Sequence, residues 1–157
     1  LAEDLGIKDP AVVLIANSPG VSVDDPNVAA SASRLEARLN AEPTASKVIS
    51  YWSAGSPANL KSKNGESGYI FVYLNTSDFT EIELAAKTFQ EKYDGKFENL
   101  DIYLTGSGIF AHAINSKIKS DLVIAESIAI PLTFILLSSM SDSNQQPLVY
   151  RFFIKVS

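Results

Sequence analysis

The chain has 157 residues, a net charge of −5 and no cysteine. That length suits one folded domain with room for an appendage, and the absence of Cys excludes disulfides, thiol catalysis and thiolate metal sites. An acidic balance without any Lys/Arg cluster excludes a nucleic-acid partner, and a single histidine, His112, excludes His-pair catalysis and multi-His zinc sites.

Apolar residues make up 46% of the chain and charged residues 20%, the balance of an ordinary folded protein. Residues 1–10 are acidic and lack the basic, then apolar, layout of a signal peptide. With no initiator Met, the chain reads as a piece of a longer protein. Residues 11–16 (AVVLIA) form a short β-branched run, as in a buried strand. Asn17 to Gly20 is turn chemistry. Asp25 then caps a helix with Pro26 at its first position, and Val28, Ala32, Leu35 and Leu39 recur on one helical face up to Pro43.

Residues 47–52 (KVISYW) read as a second strand, and residues 53–68 as a polar loop holding Gly55, Pro57, Asn64-Gly65 and Gly68. Residues 69–74 (YIFVYL) are a third strand, apolar on both faces. The Asn64-Gly65 turn signal joins the second and third strands as an antiparallel pair with a long connection. Ser77 or Thr80 is expected to cap the next helix, since Thr80 and Glu83 have capping-box spacing. Ile82, Ala85, Ala86, Phe89 and Tyr93 form its apolar face, and Gly95 ends it. Residues 100–105 (LDIYLT) are a fourth strand, broken by Gly106-Ser107-Gly108.

The order β-α-β-β-α-β predicts an α+β domain of the ferredoxin-like, split-βαβ plan: a four-stranded antiparallel sheet with two helices on one face. A further helix follows over residues 109–119, with Phe110, Ile114 and Ile118 on one side. Residues 122–137 (LVIAESIAIPLTFILL) are almost entirely apolar. A bilayer span takes roughly 20 residues, so this run is expected to be a membrane helix cut short after entry. Residues 138–146 turn polar and 148–156 have strand-like composition. The expected divisions are therefore a domain over residues 1–120, the start of a membrane helix over 121–137, and a separate tail over 138–157.

Three stretches together resemble the mycobacterial membrane protein large family of resistance-nodulation-division transporters. They are DPAVVLIANSPGVSVDDPNV (9–28), KVISYWSAG with LKSKNGESGYIFVYL, and IYLTGSGIFAHAINSKIKSDLVIAESIAIPLTFILL. The last is the most specific, through its TG followed by DL, AE, IAIPLT and LL. The likeness covers roughly residues 5–137, and the tail departs from it. The resemblance implies the porter domain between the first and second membrane helices, on the extracytoplasmic side of an actinobacterial cell membrane. It implies proton-driven export of a lipid or glycolipid, a second porter domain of the same transporter as partner, no cofactor and no enzymatic step.

Candidate site residues carry competing uses. Tyr51, Trp52, Tyr69 and Phe71, with Tyr73 and Tyr103, can form an amphipathic wall for a lipid, with Tyr51, Trp52 and loop 53–68 foremost. The plainer use is filling a small sheet's core and its solvent face. Asp121 and Glu126 sit at the membrane-entry end of the apolar run; a carboxylate is functional by default inside a membrane but cheap at headgroup level. Pro131 is expected to kink the helix. Gly106 and Gly108 lack a phosphate-loop continuation and read as a strand-to-helix turn. Asp24 and Asp25 lack calcium-loop spacing, and Ser107 has no His at hydrolase spacing. A soluble ferredoxin-like ligand-binding or regulatory module is the alternative, in which residues 122–137 fold back into a core.

Overall fold

A computed structural model describes residues 9–141. The acidic opening and the strand-like stretch 148–156 lie outside the described residues. The chain divides into two compact units, the first ending at Asn115 and the second beginning at Ser116.

In the first unit, β1 (Val12–Asn17), α1 (Pro26–Asn40), β2 (Ala45–Ser50), β3 (Ser67–Leu74), α2 (Phe79–Tyr93), β4 (Gly95–Phe97) and β5 (Leu100–Thr105) follow in order, and α3 (Ser107–Ser141) starts at once after β5. The strands form one antiparallel sheet, β2-β3-β1-β5-β4. The expected split-βαβ plan is present, with one strand more than the sequence suggested. That strand, β4, has only three residues (GKF), too few for a two-residue period to register. It folds back on β5 through Glu98 and Asn99, where Glu98 adopts φ 53.

Alternation along the strands sorts side chains to two faces. Val12, Leu14 and Ala16 of β1, Ile70 and Val72 of β3, and Leu100 and Ile102 of β5 are fully buried. They form one core with Val28, Ala32, Leu35 and Leu39 of α1 and Ala85, Ala86 and Phe89 of α2. Full burial of each large apolar side chain is worth about 1.5–3 kcal/mol, so this face holds the unit together.

The helix ends follow from local chemistry. Asp25 caps α1, its carboxylate accepting from Asn27 N at 2.8 Å, with Pro26 first in the helix. For α2 the cap is Asp78, which accepts from Glu81 N at 3.0 Å, and not Ser77 or Thr80. Thr80 lies inside the first turn, and Glu81 bonds back to Thr76. Gly106 has φ 115, and a Cβ there would lie 2.8 Å from Ala11 O. Gly108 N donates to that same carbonyl at 2.9 Å. The two glycines thus serve as a strand-to-helix turn pressed against the start of β1.

Helix α3 is 35 residues long with Pro131 inside it. It runs through residues 122–137 and on to Ser141, so the first four residues of the expected tail are helical.

Candidate functional surfaces

Strand β2 ends at Ser50 and the chain turns, so Tyr51 and Trp52 do not continue the strand's alternation. Tyr51 is 1% exposed. Its hydroxyl donates to Asp24 Oδ1 at 2.5 Å. Lys61 Nζ donates to Asp24 Oδ2 at 3.0 Å and stands 5.5 Å from the Tyr51 ring centre. These donors, the Tyr51 hydroxyl foremost and then Lys61, hold the Asp24 carboxyl below its usual range. Trp52 packs edge-on against Tyr51 with ring centres 5.5 Å apart. Its Nε1 donates to Val23 O at 2.9 Å, and its ring covers Gly68, where a Cβ would lie 2.7 Å from the ring. Val23 N to Gly65 O (2.9 Å) and Ser18 N to Glu66 O (2.7 Å) complete a staple between the β1–α1 turn and the β2–β3 loop. Tyr51 and Trp52 therefore stand on the helix side of the sheet, with their polar atoms committed to loop closure.

Tyr69 and Phe71 lie on the other side. Register places Phe71 beside Val13 and Ile49, and Tyr69 beside Ile15, which pairs in turn with Tyr103. Paired positions share a face, so these side chains make one apolar and aromatic surface opposite the helices. None of them is fully buried, and Tyr103 is 54% exposed. Asn17, Ser67 and Asp101 rim it at one end, where Ser67 Oγ donates to Asn17 Oδ1 at 2.9 Å. The four aromatic candidates thus separate into two pairs on opposite sides of the sheet.

An open cleft of about 490 Å³ lies where the α1–β2 connection meets α2, lined by Glu42, Pro43, Asn75, Thr76, Leu84 and Lys92 among others. Glu42 accepts from the Tyr93 hydroxyl at 2.5 Å and from Lys92 Nζ at 2.9 Å. Burial alone would raise the Glu42 carboxyl, but those two donors outweigh it and bring it below the usual range. Burial and the neighbouring carboxylate push Tyr93 the other way, upward. No local sequence signal marks this cleft, because its walls come from three separated segments.

In α3, His112 Nδ1 lies 3.6 Å from Glu83 Oε1, and Asn115 Nδ2 donates to Glu83 Oε2 at 2.8 Å. Asp121 is paired with Lys117 at 3.0 Å, one helical turn away. Ser127 Oγ and Thr133 Oγ1 donate to the Ile124 and Ala129 carbonyls, each at 2.8 Å. Glu126 is exposed and makes no hydrogen bond or ion pair among the described residues. Leu122, Ile128, Ile130, Leu132, Phe134 and Leu136 are all more than half exposed.

The helix is long and apolar enough to cross a membrane, and none of its most apolar stretch is buried. By length and composition it is a candidate membrane span. Among the described residues there is no cluster of His, Asp and Glu suited to a metal ion. No family model matches the chain, and no curated protein matches it.

Proposed function

We propose that this chain is an extracytoplasmic α+β domain joined to a membrane helix, and that it belongs to a proton-driven exporter of lipids or glycolipids in the actinobacterial cell membrane, as its resemblance to the mycobacterial membrane protein large family implies. The observation that carries the reading is the stretch 122–137 of α3, whose apolar residues are exposed all round. A helix apolar on every side needs a nonaqueous surrounding. The soluble-module alternative would need residues 122–137 buried in a core, and they are exposed.

The cargo surface is the open sheet face of Tyr69, Phe71, Val13, Ile15, Ile49 and Tyr103, and no longer includes Tyr51 or Trp52. A lipid leaving a bilayer must keep its acyl chains from water, at about 0.8 kcal/mol per CH₂. Apolar cover beside phenol hydroxyls and a polar rim suits an acyl chain next to a headgroup. No catalytic step is assigned to the chain.

Labelling with a photoreactive diacyl lipid in vesicles tests the cargo surface. Adducts on peptides carrying Tyr69, Phe71 and Tyr103, reduced by Phe71→Ser without loss of the folded state, are expected. Adducts confined to α3 would leave the sheet face without a lipid role.

A further inference from the structure

Asn64 is the only asparagine of the chain followed by glycine. It is exposed and sits in the turn just before β3. Its side-chain oxygen accepts two hydrogen bonds, from Ser62 Oγ at 2.6 Å and from Glu66 N at 3.2 Å. A backbone N–H can only donate, so the atom facing Glu66 is the oxygen and not the amide nitrogen. Both donors draw electron density from the side-chain carbonyl carbon, Cγ. They also stand where negative charge would develop on that oxygen under nucleophilic attack. The nucleophile in reach is Gly65 N, which can close a five-membered ring with Cγ through the main chain. Gly65 has no side chain to block that closure. One backbone bond, from Gly65 N to Ser62 O at 3.0 Å, must open first. It lies in a loop, so its opening does not require the core to open.

We propose that Asn64 is a site of self-modification, at which Gly65 N displaces ammonia from the Asn64 side chain with help from the Ser62 hydroxyl and Glu66 N–H, and water then opens the ring. In the first step hydroxide takes the Gly65 N–H proton, the N–Cγ bond forms and the Cγ–Nδ2 bond breaks. The leaving nitrogen takes a proton from water and departs as ammonia. In the second step water adds to one of the two ring carbonyls, and the C–N bond that breaks returns a proton to nitrogen. Opening at Cγ gives aspartate, and opening at the main-chain carbonyl gives isoaspartate. The sum is amide plus water to acid plus ammonia, with nothing oxidised or reduced. Isoaspartate adds one methylene to the main chain between residues 64 and 65. Gly65 O accepts from Val23 N at 2.9 Å, and Glu66 O from Ser18 N at 2.7 Å. The lengthened chain loses that register, so the reaction unlatches the β1–α1 turn from the β2–β3 loop. This inference is independent of the membrane reading.

The folded chain, kept warm in detergent at mildly alkaline pH, is expected to gain an acid at Asn64 ahead of every other asparagine, as read by peptide mass mapping. The rate should rise in proportion to hydroxide. Ser62→Ala, with native circular dichroism, is expected to convert roughly two- to tenfold more slowly, the worth of one hydrogen bond, and Ser62→Thr at near the parent rate. Asn64→Asp keeps the acceptor and the normal main chain, so slow amide exchange at Val23 and Ser18 should persist there and be lost in the isoaspartate product. No acid at Asn64 in the folded chain, over a period in which the urea-unfolded chain converts, overturns the proposal, as does a Ser62→Ala variant that converts as fast as the parent. Unchanged exchange at Val23 in the isoaspartate product overturns the unlatching.

Discussion

Leu14, Leu35 and Phe89 in the α/β unit are at most 1% exposed, whereas Leu132, Phe134 and Leu136 in α3 are 55%, 72% and 56% exposed. The side chains are of the same kind, and their arrangement along the chain differs. In β1 and β3 every second residue is apolar and buried, and in α1 and α2 the apolar residues recur on one stripe. One face of each of these elements is buried in the shared core. Over residues 122–137 of α3 the apolar residues surround the helix, and no packing face covers them among the described residues.

The largest effect expected from this contrast is on solubility. Truncation after Asp121 should leave a folded, soluble α/β unit by circular dichroism and size exclusion, while the longer chain aggregates without detergent or lipid. Unfolding of the truncated chain would instead place residues 122–137 among the supports of the fold. Next in size is a matched pair of substitutions. Phe89→Ala should cost about 3–5 kcal/mol in denaturant unfolding of the α/β unit. Phe134→Ala should leave that transition unmoved.

Gly106→Ala follows. At φ 115, with Ala11 O 2.8 Å from the added Cβ, the backbone must shift, and a loss of about 1–3 kcal/mol is expected. Equal stability would mean that the β5–α3 turn yields freely.

Acidification should have the smallest effect. Glu98 accepts from Arg34 Nε at 2.8 Å and Nη2 at 2.5 Å, which brings its carboxyl down to about 2. Glu42 and Asp24 are lowered as well. A carboxylate lowered on folding stabilises the protein above its unfolded value, 4.5 for Glu, and that contribution fades as pH falls toward 2. Melting of the truncated unit should therefore shift downward between pH 4.5 and 2. Glu42→Gln should flatten part of that shift, and an unchanged slope would remove Glu42 from it.

Periodicity made most of the fold legible. The strands, the faces of α1 and α2, the Asp25 cap and the Gly106–Gly108 turn all rest on spacing within one segment. Apart from the α2 cap, where Asp78 and not Ser77 or Thr80 accepts from Glu81 N, what was missed needed contacts between segments. β4 is a strand only because β5 lies beside it. Tyr51 and Trp52 looked like strand residues, yet the turn after Ser50 sends Tyr51 inward to Asp24, 27 positions away in sequence. The grouping of Tyr69 and Phe71 with Ile15, Ile49 and Tyr103 depends on strand order and register. The Glu42–Tyr93 pair spans 51 positions. In α3, by contrast, Asp121, Glu126 and Pro131 could be located from composition alone, because the boundary of an apolar run is itself a local signal.

A depth scan of α3 bears hardest on the membrane reading. Single Cys residues placed in turn at positions 110, 114 and 118 and at every position from 122 to 137 of the Cys-free chain can be labelled in intact vesicles with a water-soluble thiol reagent. Rapid labelling up to position 118, followed by protection from 122 through 137 on every side of the helix, is the expected result. Labelling that alternates with the helical period across residues 122–137, or that proceeds at one rate throughout, would contradict a membrane-spanning α3.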